Sequence, residues 1–286
     1  MGSAAGDSDH YLMADFDQPF TPSSSSFGSA TPLPLEYSSA PGDSGGGVFI
    51  DDGGVQKVAG VVSFGQRGPI GATSGSANSG YGDLMGFTRV SLFNDWIDDQ
   101  LSARYWNNSS GGAFVNAAHW DEGASPGAGN VAVFNVAGAY TVTLPPDTDN
   151  KRVRVRSGDV TIDLANHSYT VHNSQFERSI AVGHLYPDNA KLTFTNGTIV
   201  TGDIGVAESR GTSGELTVRG VGTSLTTNGS VGVNGSLTAQ GGTGPSVFRI
   251  AEGATANVSG TVKVWPNGIV EGRRGHIDRE PPRPRS

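Results

Sequence analysis

Gly42-Asp43-Ser44-Gly45-Gly46-Gly47-Val48-Phe49-Ile50 is a serine on a glycine turn that runs straight into an apolar strand. The glycines permit a sharp reversal of the backbone. A serine held there can expose its hydroxyl while a substrate carbonyl approaches two backbone N–H groups, the arrangement that acyl transfer requires. Downstream, Asp51-Asp52-Gly53-Gly54 separates the apolar run from Lys57-Val58-Ala59-Gly60-Val61-Val62-Ser63-Phe64-Gly65, which predicts a hairpin. A short strand is expected near Tyr11-Leu12-Met13 and another at Phe87-Thr88-Arg89-Val90. Apolar residues at 92, 93, 96, 97 and 101 predict one face of a helix, with Ser91 as its N-cap.

After residue 103 the texture changes to short strands rich in Thr and Val, broken by Asn-Gly and Gly-Gly. Tyr140–Leu144, Val153–Arg156, Gly158–Leu164, Lys191–Phe194, Gly214–Val218 and Gly235–Ala239 are of this kind. Leu216-Thr217-Val218-Arg219-Gly220 and Leu237-Thr238-Ala239-Gln240-Gly241 read as copies, and repetition of strand and turn alone suggests stacked β-coils. The expected domains are therefore residues 1–103, residues 104–272 and a charged, proline-rich tail, 273–286, expected to be disordered.

Composition narrows the function classes. Of 286 residues 43 are glycine and only 16% are charged, which suits a turn-rich β protein better than a helical bundle. A net charge of −8 argues against a nucleic-acid partner, which needs a basic face. With no cysteine there is neither a disulfide frame nor a thiolate metal site, and no metal or organic cofactor is expected. No 18-residue apolar stretch predicts a transmembrane helix. Residues 1–10 lack the basic start and apolar core of a signal peptide.

Three blocks in order give residues 42–97 a resemblance to the C-terminal half of a chymotrypsin-like serine protease: Gly42-Asp43-Ser44-Gly45-Gly46, Val61-Val62-Ser63-Phe64-Gly65, and Phe87-Thr88-Arg89-Val90 with Asp95-Trp96-Ile97. The resemblance implies an incomplete antiparallel barrel with a closing helix and an endopeptidase acting on protein or peptide substrates. Ser44 would be the nucleophile and the N–H groups of Gly42 and Ser44 the oxyanion hole. Asp43 would brace the loop through a buried ionic contact. Ser63, Phe64 and Gly65 would face the substrate backbone, Ser38 would floor the specificity pocket, and Met85 or Gly86 would line its wall. A neutral Ser38 gives no support for a Lys or Arg preference.

The family orders its triad His, Asp, Ser. Here His10 is the only histidine before Ser44, Asp15 and Asp17 are loop-like acids, and His119, His167, His172, His184 and His276 follow the serine. Ala117-Ala118-His119 echoes a family string on the wrong side of Ser44. The expectation is a chain whose true start is missing, exported from a bacterium, and nearly inactive by itself. The later region resembles the β-solenoid passengers of bacterial surface proteins. Its Asn-Gly-Ser/Thr strings, Asn196, Asn228 and Asn234, read as turns rather than glycosylation sites. The alternative is a non-catalytic surface or adhesion module carrying a protease remnant.

Overall fold

The computed structural model describes residues 10–18, 31–34, 36–67, 79–172, 178–272 and 277–279. The low-complexity stretch at 21–28, most of the Gly/Ser/Ala segment at 68–78, and His276 lie outside them. The chain is mostly β and divides into two compact units, Met1–Ile97 and Asp98–Ser286.

The first unit is a four-stranded antiparallel sheet. Strands β1 (Tyr11–Asp15), β2 (Gly47–Asp52), β3 (Val55–Gln66) and β4 (Leu84–Arg89) lie in the order β1-β4-β3-β2. The predicted hairpin is present, with Gly53 and Gly54 at φ +65° and +88°, a conformation that a side chain disfavours. Pleating divides the side chains between two faces. Leu12, Ala14, Val48, Val62, Met85 and Phe87 line one open cleft, while Tyr11 meets Phe64 edge-on at 5.3 Å on the other face. Of this unit's described apolar side chains only Met13 and Met85 are fully buried.

A 3-10 turn, Val90–Phe93, leads into helix α1 (Asn94–Ser102). The α-helix starts later than expected, because Ser91 sits inside the 3-10 turn that precedes it; its hydroxyl accepts from Arg89 Nε at 2.9 Å and it caps nothing. Leu92, Phe93, Trp96 and Leu101, expected to face a core, are exposed.

The second unit is built from three parallel sheets visited in rotation. One contains Val131–Phe134, Arg152–Val155, Ile180–Val182, Ile204–Val206, Val231–Val233 and Val262–Val264. The next contains Ala139–Thr143, Ser157–Asp163, Asn189–Thr195, Ser213–Arg219, Ser246–Ala251 and Gly268–Gly272. The third contains Thr148–Asn150, Ser168–Val171, Thr198–Thr201, Ser224–Thr227 and Thr255–Val258. Each circuit of the chain adds one strand to each sheet. Register stacks like residues: Tyr140, Val160, Leu192, Leu216 and Phe248 form one buried line, and Thr141, Thr161, Thr193 and Thr217 form its outward neighbour. Each such buried side chain contributes roughly 1.5–3 kcal/mol.

The expected copy at Leu237–Gly241 is not a strand. Leu216 aligns with Phe248 instead, and residues 236–239 form a loop, because the circuit closes at unequal spacings that a fixed period misses. Ile277–Arg279 pairs in parallel with Thr255–Val258, so part of the segment expected as tail is a strand. Asn196 and Asn234 take positive φ, +57° and +62°, as Asn-Gly turns require, and Asn234 is fully buried.

Candidate active site around Ser44

The turn is tied down by its own backbone. Asp43 N–H donates to Ala40 O at 3.0 Å, Gly46 N–H to Asp43 O at 2.9 Å, and Gly45 N–H to Val62 O at 2.9 Å, while Val62 N–H returns to Gly46 O at 2.9 Å. Gly42 and Gly45 take φ +109° and +89°, so side chains there would strain the loop. Among the described residues, the N–H groups of Gly42 and Ser44 have no acceptor. The turn therefore consumes three of its amides and leaves two available, the pair flanking Asp43.

Ser44 is exposed and lines two cavities. The larger, about 570 Å³, is the open apolar cleft of the sheet, with Asp43 and Tyr37 also on its wall. The smaller, about 210 Å³, is lined by Ser39, Ala40, Pro41, Val62, Phe64, Gly65 and Ser79, and none of these described residues is charged. Beyond Val62 strand β3 keeps β4 on one side. On its other side, Ser63–Gln66 has no partner strand among the described residues and is exposed. This open edge beside Ser44 can pair with an extended peptide. Phe64 lies against Gly86, where a Cβ would come within 2.3 Å of the ring.

Several expected positions differ in detail. Asp43 is exposed, and its carboxylate accepts from Ala40 N–H at 2.8 Å, so local hydrogen bonding replaces the expected buried ionic contact. Met85 lines the larger cleft together with Ser44, and its sulfur accepts from Ser39 N–H at 3.1 Å. Ser38 lines neither cavity: its hydroxyl donates to Ser39 O at 3.2 Å. Ser39 and Ser79, which sequence reading missed, line the smaller cavity. Ser79 reaches Ser39 O at 2.7 Å across 40 residues of chain, a pairing with no local signal.

No described histidine approaches Ser44 within the first unit. His10 precedes β1 and its carbonyl accepts from Arg89 N–H at 3.0 Å. Strands β1 and β2, which follow His10 and the Ser44 turn, are opposite edges of the sheet, and no hydrogen bond joins His10 to Ser44 among the described residues. His119 belongs to the second unit, where its ring packs on Trp106 and Gly112. Among the described residues no group of three His, Cys, Asp or Glu side chains could hold a metal ion. No helix of the described residues is long and apolar enough to cross a membrane. Comparison with protein-family models, with curated proteins and with solved structures finds no match to this chain.

Proposed function

We propose that the first unit is the Ser44-bearing half of a chymotrypsin-like serine endopeptidase, borne on a β-solenoid. The observation that carries this reading is the pair of unengaged N–H groups, Gly42 and Ser44, on a turn whose other amides are bonded. They would hold the oxyanion of a tetrahedral intermediate while Ser44 Oγ attacks the peptide carbonyl. Peptide substrate would extend along Ser63–Gln66, and the uncharged 210 Å³ pocket would accept a neutral side chain. The three-sheet circuit of the second unit supports the solenoid reading, with a role as a surface stalk or adhesion module on an exported bacterial protein.

The chain alone is expected to react slowly. A serine without its general base retains only about 10³–10⁴-fold over water, from the oxyanion hole and binding, and His10 stands on the far edge of the sheet. That same placement of His10 favours a second reading, in which the coil is the working part and the Ser44 unit is a remnant. A fluorophosphonate probe separates the two. Slow labelling of the wild type that is absent in Ser44→Ala supports a competent nucleophile. Equal labelling of both proteins, or none, sinks the enzymatic reading of this chain.

A further inference from the structure

The arginines of the second unit follow a pattern. Among its described side chains, Arg104 faces Glu122, Arg152 and Arg154 face Asp99, and Arg156 faces Asp188. Arg178 faces Asp203 and Glu208, and Arg249 faces Glu215 and Glu271. Among the described residues Arg210 and Arg219 have no carboxylate partner, and Arg210 lines a pocket. In a chain of net charge −8, a cation left unpaired beside a cavity is the exception to explain.

That cavity, about 380 Å³, is formed by Arg210, Gln240, Gly241, Gly242, Thr243 and Asn267. These residues come from three consecutive corners of the coil, following Ile204–Val206, Val231–Val233 and Val262–Val264. The walls are fixed from behind. Gly241 N–H donates to Asn234 O and Gly242 N–H to Ala207 O, each at 3.0 Å. The fully buried Asn234 side chain donates to Gly242 O at 3.1 Å and to Pro266 O, next to Asn267, and accepts from Ser246 Oγ at 2.9 Å. One amide thus joins two walls. Gly241 has no room for a side chain, since a Cβ would lie 1.8 Å from Glu208 O. The Glu208 carboxylate is engaged with Arg178 and His184, and no acid is among the described residues that line the pocket.

We propose that this pocket binds an oxyanion group, carboxylate or sulfate, with the Arg210 guanidinium as its principal partner. A planar guanidinium grips such oxygens bidentately. Gln240, Thr243 and Asn267 add neutral donors that also suit the hydroxyls of a sugar carrying the group. The site lies wholly within the second unit and does not depend on the chemistry of Ser44.

The test is an amide NMR titration of the full chain with sulfate, acetate, glucuronate, glucose 6-sulfate and neutral glucose. Saturable shifts at Gly241, Gly242 and Thr243 are expected with the anions and not with glucose. Arg210→Gln should weaken binding at least about tenfold, the loss of a charge-assisted hydrogen bond. Arg219→Gln, the other unpaired arginine, should leave it unchanged. Tighter binding of the two sugar acids than of the bare ions would identify a sugar-borne group, and equal binding a free anion. Non-saturating shifts, or an Arg210→Gln protein with a native spectrum that binds as well as the wild type, would overturn the site.

Discussion

At the scale of residues, the chain's informative positions are those where backbone conformation and close approach coincide. Gly111 takes φ +77°, and a Cβ there would lie 2.2 Å from Thr141 O. Gly111→Ala therefore meets both strain and a backbone clash, and is expected to cost about 3 kcal/mol in urea unfolding. Gly53, with positive φ but open space, would show only the strain. At Ser44 the same logic is chemical. The glycines on either side were legible as a turn, and a candidate nucleophile could be nominated from the string alone. Which amides remain unengaged could not, because Gly45 and Val62 acquire their partners only when β3 lies alongside the turn.

At the scale of elements, helix α1 shows how a pattern can be read correctly and its packing misjudged. Its existence follows from spacing, yet Trp96 and Leu101 of its apolar stripe are exposed, and among its described side chains the buried one is Asp99. Asp99 takes Arg152 Nε at 2.5 Å and Lys151 Nζ at 3.0 Å, within the second unit. Arg152 is 2% exposed, and Asp99→Ala would remove the carboxylate that accepts from its Nε. The expected loss in urea unfolding is about 1.5–3 kcal/mol, that of a hydrogen bond between charged groups, with faster hydrogen exchange at Gln100–Ser102 in the variant. The corner holding Glu208 predicts an acid response. Burial raises this carboxyl, but the hydrogen bond from His184 and the Arg178 guanidinium outweigh it and hold it below the usual carboxylate range. A depressed folded value means stability that is complete above the unfolded value, about 4.3, and is lost as pH falls through the folded one. The urea midpoint should drop on acidification below roughly pH 4, and Glu208→Gln should flatten that limb.

At the scale of the whole molecule, apolar burial is distributed unevenly. The large core, from Trp106 to Val258, belongs entirely to the second unit, whereas the first buries only Met13 and Met85 among its described apolar side chains. Two calorimetric transitions are expected. The amide signals of β1–β4 should be lost at the lower one, and a single coincident transition for both units would contradict this. The sequence by itself determined the β class, the hairpin at Gly53-Gly54, the helix before residue 103 and the serine turn, because each rests on local conformation and periodicity. It misplaced the coil repeat at Leu237, because equivalence along the coil is set by strand register and the corners between strands vary in length. Only the tertiary structure decided that Phe248 follows Leu216 in the core. The same holds for Ser79 joining Ser39 beside Ser44, for His10 standing across the sheet, and for three distant corners converging on Arg210. Those relations are distances between segments far apart in the chain, and no local pattern encodes them.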